Sequence, residues 1–154
     1  MAARLITCSL ALLVSACTPT PPPALGQAEV QDFVRQYVAA TNAADAQKMM
    51  GLVNRDQTVS SIGYGKIHRG WDAIRTATDE SIAAAARVKV AVGTIDVTSL
   101  GPDAALAVAS MNLSGLQQVG RAYVVDVPGA LTIVVKRTPD GLRLIHEHYS
   151  VRPL

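Results

Sequence analysis

The spacing of the apolar residues changes near residue 87, and this change limits the fold more than any other feature of the sequence. Before it, apolar residues recur every three or four positions, as on one face of a helix, and the clearest set is Val30, Phe33, Val34, Tyr37 and Val38. After it, they alternate in steps of two, as in strands with one buried face. Helices followed by a run of strands predict an α+β domain with an antiparallel sheet.

Three helices and four main strands are predicted, with one or two short strands besides. Asp45 is a candidate N-cap for the second helix, and Gly70 opens the third. In the first strand after residue 87, the apolar positions change from even to odd near Gly93, which predicts a β-bulge. Pro128-Gly129 predicts a loop or edge detour before a strand at 131–137. We expect the helices to pack on a strongly curved sheet that encloses a cone-shaped cavity.

Composition restricts the class of protein. The chain has 154 residues, enough for one domain and hardly for two. Apolar residues make up 49% and charged residues 17%, which excludes a long disordered region or coiled coil. A net charge of +2 provides no basic stripe, so we expect no nucleic-acid partner.

The first segment predicts a secretory signal peptide at residues 1–16. Arg4 precedes an apolar run at 5–14, which is too short to cross a bilayer as a permanent helix. Val14-Ser15-Ala16-Cys17 resembles a bacterial lipobox, and that resemblance implies that Cys17 is lipidated. The Pro-rich residues up to 24 would form an extended tether. We therefore expect a lipid-anchored protein on the periplasmic side of the cell envelope. By the same resemblance, Thr18 favours the outer membrane, because inner-membrane lipoproteins of enteric bacteria carry Asp after the lipidated Cys.

Two histidines on the last strand are the main candidates for chemistry. His146 and His148 are two residues apart, so their side chains share one face, which we expect to line the cavity, while Glu147 points outward or toward a dimer partner. The pair could form a polar wall or pack structurally, or one member could act as a general acid or base. Together with His68, the pair could instead form a three-histidine metal site.

Other candidates for the cavity come from earlier elements. Ser110 and Asn112 share a face with Leu106 and Val108 that changes from apolar to polar along its length, as a cavity wall would. Tyr37 could present its hydroxyl to the cavity or be a core tyrosine. Trp71 could pack in the core or offer a stacking surface.

Several motifs in this order resemble the SnoaL-like branch of the nuclear transport factor 2-like superfamily. They are the opening helix with Tyr37 and Val38, the junction Asn42-Ala43-Ala44-Asp45, the stretch His68-Arg69-Gly70-Trp71, and the final segment 140–150. The resemblance covers roughly residues 25–152 of the domain predicted at 25–154, and it implies a cone-shaped α+β fold and often a homodimer. It implies no single activity, because function in this family depends on the residues of the pocket.

On these grounds we expect a non-enzymatic envelope protein that binds a small amphipathic molecule or a partner in its cavity, without a cofactor. The expected ligand-binding residues are Tyr37, Trp71, Ser110, Asn112, His146 and His148. The alternative is an isomerase, dehydratase or cyclase of the SnoaL-like type. In that case His148, His146 and Tyr37 would carry out acid/base chemistry.

Overall fold

A computed structural model of the chain describes residues 23–84, 88–119 and 121–152. These residues form three helices and six strands. In chain order they are α1 (Gln27–Asn42), α2 (Ala46–Leu52), β1 (Ser60–Gly63), β2 (Lys66–Arg69), α3 (Trp71–Ala84), β3 (Val88–Ser99), β4 (Ala104–Val119), β5 (Arg121–Thr138) and β6 (Gly141–Val151). The predicted signal peptide, Cys17 and nearly all of the tether lie outside the described residues.

The helices form where the apolar spacing predicted them. The apolar face of α1, including Phe33 and Tyr37, is buried. Asp45 caps α2, because its side chain accepts a hydrogen bond from the backbone N–H of Lys48 at 3.0 Å. Gly70 precedes α3 with a φ of 79°, a left-handed conformation that glycine adopts without steric cost. In the described ranges, no helix is long and apolar enough to cross a membrane.

The six strands form one curved sheet in the order β2-β1-β6-β5-β4-β3. All neighbouring strands are antiparallel except β1 and β6, which are parallel. The sheet is therefore mixed, and the prediction of an antiparallel sheet was wrong at this one pair. A long connection containing a helix allows two strands to pair in parallel, and β2, α3, β3, β4 and β5 supply it. The α+β class and the three helices are confirmed.

The predicted bulge in β3 is confirmed. Its pairing with β4 shifts between Val92 and Ile95, on either side of Gly93. The strand lies at the edge of the sheet, and α1 covers part of that edge. The side-chain amide of Asn42 donates to the carbonyl of Val90 at 2.8 Å and accepts from its N–H at 2.7 Å. The side chain thus takes the place of a neighbouring strand.

The predicted loop at Pro128-Gly129 was wrong, because β5 continues through both residues. Proline lacks the N–H that a central strand needs, and this favoured the loop prediction. However, β6 ends at Val151, opposite Gly129. Pro128 therefore stands where β5 loses its neighbour on that side, and its carbonyl accepts a hydrogen bond from the Arg152 N–H at 3.1 Å.

The core lies between the helices and one face of the sheet, which we call the inner face. Its most buried strand residues include Ala105, Ala107, Ile133, Val135 and Leu144, each no more than 2% exposed. The opposite face, the outer face, carries side chains such as Val108, which is 40% exposed. Which face a residue occupies therefore decides whether it can take part in an interior site.

Candidate functional site

A second bulge, in β6, decides which residues reach the interior. Val134 pairs with His146 and the next residue, Val135, pairs with Leu144, so Ile145 has no partner on β5. Leu144 is 1% exposed and Glu147 is 8% exposed, although they are three positions apart. Regular alternation would place them on opposite faces. The bulge shifts the alternation by one residue and brings Glu147 to the inner face.

The two histidines consequently lie on the outer face. His148 pairs with Thr132 and is exposed, and His146 pairs with Val134. The Nδ1 atom of His146 lies 2.8 Å from the Oγ of Ser60, its partner on β1. The prediction that the two side chains share a face is confirmed, whereas the prediction that this face lines the interior was wrong. Regular alternation from Leu144 would place both imidazoles on the inner face, and the extra residue reverses this.

Glu147 was expected at the surface or at a dimer interface, and that prediction was wrong. Its Oε2 accepts a hydrogen bond from the Tyr37 hydroxyl at 2.8 Å, and its Oε1 accepts one from the Ser61 hydroxyl at 2.7 Å. Tyr37 comes from α1, and Ser61 is the neighbour of Glu147 on β1. Three elements therefore meet at one buried carboxylate.

Tyr37 acts in this cluster as a hydrogen-bond donor. Burial raises its pKa well above the usual range, and the nearby charge of Glu147 and the hydrogen bond to it raise that pKa further. The hydroxyl therefore stays protonated at neutral pH. Because the Tyr37 hydroxyl donates to Glu147, its proton is already used in a hydrogen bond within the protein.

Tyr149 adds a second hydroxyl beside the carboxylate and was absent from the predicted site. It follows Glu147 by two residues, so it lies on the inner face as well. Burial raises the pKa of Tyr149, and the charges of Glu147 and Tyr64 raise it further, to about 12. Its ring lies over Gly63, where a Cβ would stand only 2.1 Å from the ring. The Tyr64 ring meets it edge to face, with centroids 5.3 Å apart. The hydroxyl of Tyr149 makes no hydrogen bond to the described residues. Its place in the final segment, 140–150, was the only sequence signal.

His68 lies apart from the other two histidines. It pairs with Ser61 on β1, so it belongs to the inner face. His146 and His148 are on the outer face, and the sheet separates them from His68. Within residues 23–84, 88–119 and 121–152, no three potential ligands from His, Cys, Asp and Glu come together for a metal ion. The described residues thus do not form the three-histidine alternative.

Ser110 and Asn112 also lie on the outer face, so the predicted cavity wall was the wrong face of β4. Ser110 is exposed, and the Asn112 amide donates to the Asp126 carboxylate at 2.5 Å. The inner face of this strand instead carries Ala105, Ala107, Ala109 and Met111. Small side chains let a helix approach the sheet closely, and for this reason the inner face is less conspicuous in the sequence than the Leu and Val of the outer face.

Trp71 is half-buried at the start of α3 and borders a different cleft. Its indole Nε1–H donates to the carbonyl of Met50 at 3.4 Å. The guanidinium of Arg55 covers the ring, 4.9 Å from its centroid. The cleft has a volume of about 270 Å³ and is lined by Arg55, Asp56, Gln57, Trp71 and Asp72. Trp71 therefore packs partly in the core, and Arg55 occupies the ring face that a ligand would need for stacking.

Comparison with family models identifies the family of the chain. The family model of the SnoaL-like domain matches residues 30–153, which is most of the chain. The chain belongs to the SnoaL-like family. The SnoaL-like match includes Tyr37 and Ser61 as well as the final strand with Glu147 and Tyr149.

Solved structures with the same fold are distant in sequence. A nuclear transport factor 2-like superfamily protein from Salmonella enterica serovar Typhimurium is 18% identical, with a TM-score of 0.74 over 82% of this chain and 91% of that one. A protein with a cystatin-like fold from Caulobacter vibrioides is 21% identical, with a TM-score of 0.73 over 83% and 90%. A ketosteroid isomerase-like protein from Erwinia carotovora atroseptica is 15% identical, with a TM-score of 0.70 over 82% and 96%. No curated protein matches the SnoaL-like chain.

Proposed function

We propose that this SnoaL-like protein binds a small amphipathic molecule in its interior, with the polar end of the molecule at Glu147, and that it does so without catalysis. The observation that carries the proposal is the position of Glu147, a carboxylate on the inner face held by Tyr37 and Ser61. A carboxylate offers about four acceptor positions, and the two hydroxyls use two of them. The others remain for donors of a ligand.

The surroundings of the carboxylate suit a ligand that is partly apolar. Tyr149 contributes a ring and a hydroxyl that makes no hydrogen bond to the described residues, and the neighbouring inner-face residues are aliphatic. Binding sites for small molecules combine apolar walls with a few polar groups that fix the orientation of the ligand. The Glu147 cluster, defined as Tyr37, Ser61, Glu147 and Tyr149, has this composition.

Binding is favoured over proton-transfer catalysis by the contact between Tyr37 and Glu147. Isomerase chemistry needs a carboxylate to take a proton and a separate donor to stabilise the enolate. Here the Tyr37 hydroxyl donates to the carboxylate itself, at 2.8 Å. The histidines of the enzyme alternative, His146 and His148, face away from this cluster.

The experiment is native mass spectrometry of the mature protein purified from its native host. We expect a small molecule to copurify with the wild type, and to be lost in Glu147→Gln. His148→Ala is the matched control, because it removes a polar side chain from the outer face of the same strand. Melting temperatures of all three proteins would verify that they are folded. An interior site is ruled out if no small molecule copurifies with the wild type, or if His148→Ala loses the molecule and Glu147→Gln keeps it.

A lipid anchor at Cys17 is the second part of the proposal, and its support is the lipobox resemblance at 14–17. The described chain starts at Pro23, whose carbonyl accepts a hydrogen bond from Arg137 at 2.8 Å. A tether at 17–22 would therefore reach the domain beside this contact. Mass spectrometry of the N-terminal peptide would detect acyl chains on Cys17. An unmodified Cys17 would exclude the lipid anchor. The outer-membrane location and the homodimer stay predictions.

A further inference from the structure

Glu147 has no cationic partner among the described residues. Its two hydrogen bonds come from neutral hydroxyl groups, at 2.8 Å and 2.7 Å. The ion pairs of the described chain lie elsewhere, at Arg35–Asp32, Lys48–Asp45, Arg75–Asp79 and Arg137–Glu29. A buried carboxylate is costly unless a positive charge or a complete set of donors compensates for it. Among the described side chains, no positive charge therefore balances the Glu147 carboxylate.

Aromatic rings adjoin the same carboxylate. Tyr37 reaches it through its hydroxyl, and Tyr149 follows it on the strand. Tyr64 meets the Tyr149 ring edge to face, with an angle of 82° between the ring planes. The faces of aromatic rings attract cations, and this attraction is strongest where water is excluded. Gly63 makes the arrangement possible, because any larger residue there would displace the Tyr149 ring.

We infer that the Glu147 cluster takes a small apolar molecule that carries a protonated amine. This inference rests on the proposed function and names the chemical class of its ligand. The ammonium N–H groups would bond to the unused acceptor positions of Glu147, beside the rings of Tyr37 and Tyr149. The apolar part of the ligand would lie against the aliphatic inner face of the sheet.

The test compares three probes that share one ring and differ in one group: benzylamine, benzyl alcohol and benzoate. Their affinities for the full-length chain would be measured by isothermal titration calorimetry in a mild non-ionic detergent. We expect benzylamine to bind at least about 10-fold more tightly than benzyl alcohol, which corresponds to about 1.4 kcal/mol. We expect no measurable binding of benzoate, because like charges repel.

Two variants separate the cluster from the net charge of the protein. Glu147→Gln keeps the shape of the side chain and removes its charge, so it should abolish the advantage of benzylamine while leaving the affinity for benzyl alcohol within about twofold. Glu80→Gln removes an exposed carboxylate from α3 and should change neither affinity. The inference is overturned if the wild type binds the amine and the alcohol equally, or if Glu147→Gln retains the preference.

The outcomes distinguish this inference from the proposed function. If benzylamine and benzyl alcohol bind equally to the wild type, and neither binds to Tyr149→Ala, the interior site is retained. The preference for an amine is then excluded. Absence of binding for all three probes would count against both. A preference for benzoate would also remove the amine, since it would indicate a cationic site.

Discussion

Tyr37 shows at the scale of single residues how a buried charge is held in this protein. Its hydroxyl donates to Glu147, and both side chains are nearly excluded from solvent, at 7% and 8% exposure. Hydrogen bonds to charged groups contribute more to stability than those between neutral groups. The strength of this contact can be separated from the packing of the ring, because phenylalanine keeps the ring and removes the hydroxyl.

We predict that Tyr37→Phe lowers the free energy of unfolding by about 1.5–3 kcal/mol at pH 7, the range for hydrogen bonds to charged groups. Tyr149→Phe is the matched control, since its hydroxyl makes no hydrogen bond to the described residues, and its effect should stay within about 0.5 kcal/mol. Urea unfolding followed by circular dichroism measures both. Equal losses in the two variants would contradict the importance assigned to the Tyr37 contact.

Single residues also show how far the sequence predicted the site. Tyr37 was a candidate because the helical spacing placed it on the buried face of α1. Glu147 was expected to point outward or toward a dimer partner, because the histidines on either side of it were expected to face the cavity. Ser61 and Tyr149 carried no distinguishing pattern of their own. Their role depends on pairing between β1 and β6, which are far apart in the chain.

At the scale of elements, the end of α1 satisfies the edge of the sheet at one position. Asn42, the last residue of α1, makes both hydrogen bonds to Val90 that a further strand would make. Exposed edge strands present unpaired backbone groups that can recruit other chains. The contact fixes the end of α1 to β3, and it also satisfies the edge at that position.

We predict that Asn42→Ala lowers the free energy of unfolding by about 1–2 kcal/mol, because it leaves the N–H and the carbonyl of Val90 without their partner. Hydrogen exchange at the Val90 amide should become faster. Gln36→Ala is the control, since it removes an exposed amide side chain from the same helix. Unchanged exchange at Val90 would show that the contact does not protect the edge.

The two bulges explain why one strand was predicted correctly and another was not. In β3, the apolar positions change from even to odd, and a glycine stands at the change. Both signals are visible in the sequence. In β6, Leu142, Leu144 and Ile145 are all apolar, so the extra residue leaves no trace in the pattern. The shift becomes visible only from the pairing with β5 and the parallel pairing with β1.

At the scale of the whole molecule, a buried tyrosine and a half-buried one affect how the fold depends on pH. Burial raises the pKa of Tyr149 to about 12 and that of Tyr37 well above its usual value. In the unfolded chain, both hydroxyls lose their protons near pH 10. The folded state therefore holds protons that the unfolded state releases, and its stability falls as the pH rises above 10.

We predict that the contribution of Tyr149 is fully present below pH 10 and is lost between pH 10 and about 12, where the folded protein also titrates. Each unit of pKa difference corresponds to about 1.4 kcal/mol at most, and partial exposure reduces this value. Urea unfolding of the wild type and Tyr149→Phe from pH 8 to 12 measures the slope. The free energy of unfolding should fall less in this interval for Tyr149→Phe than for the wild type. Equal slopes for the two proteins would contradict the raised pKa of Tyr149.

The architecture itself was predictable because the change in spacing near residue 87 separates helices from strands. The parallel pair of β1 and β6 was not, since it joins segments separated by most of the domain. The continuous course of β5 depended on where β6 ends, which decides whether Pro128 is tolerated. Pairing between distant strands thus determined the features of the fold that local sequence patterns could not predict.

The unpaired Ile145 makes the chemistry of the interior depend on the register of a strand. If Ile145 paired like its neighbours, regular alternation from Leu144 onward would turn the imidazoles of His146 and His148 inward and expel the carboxylate of Glu147. Deletion of Ile145 would instead keep Glu147 inside, because Leu144 and Glu147 would then be two positions apart. In this fold, the pairing of one aliphatic residue therefore decides whether the interior carries an acid or a base.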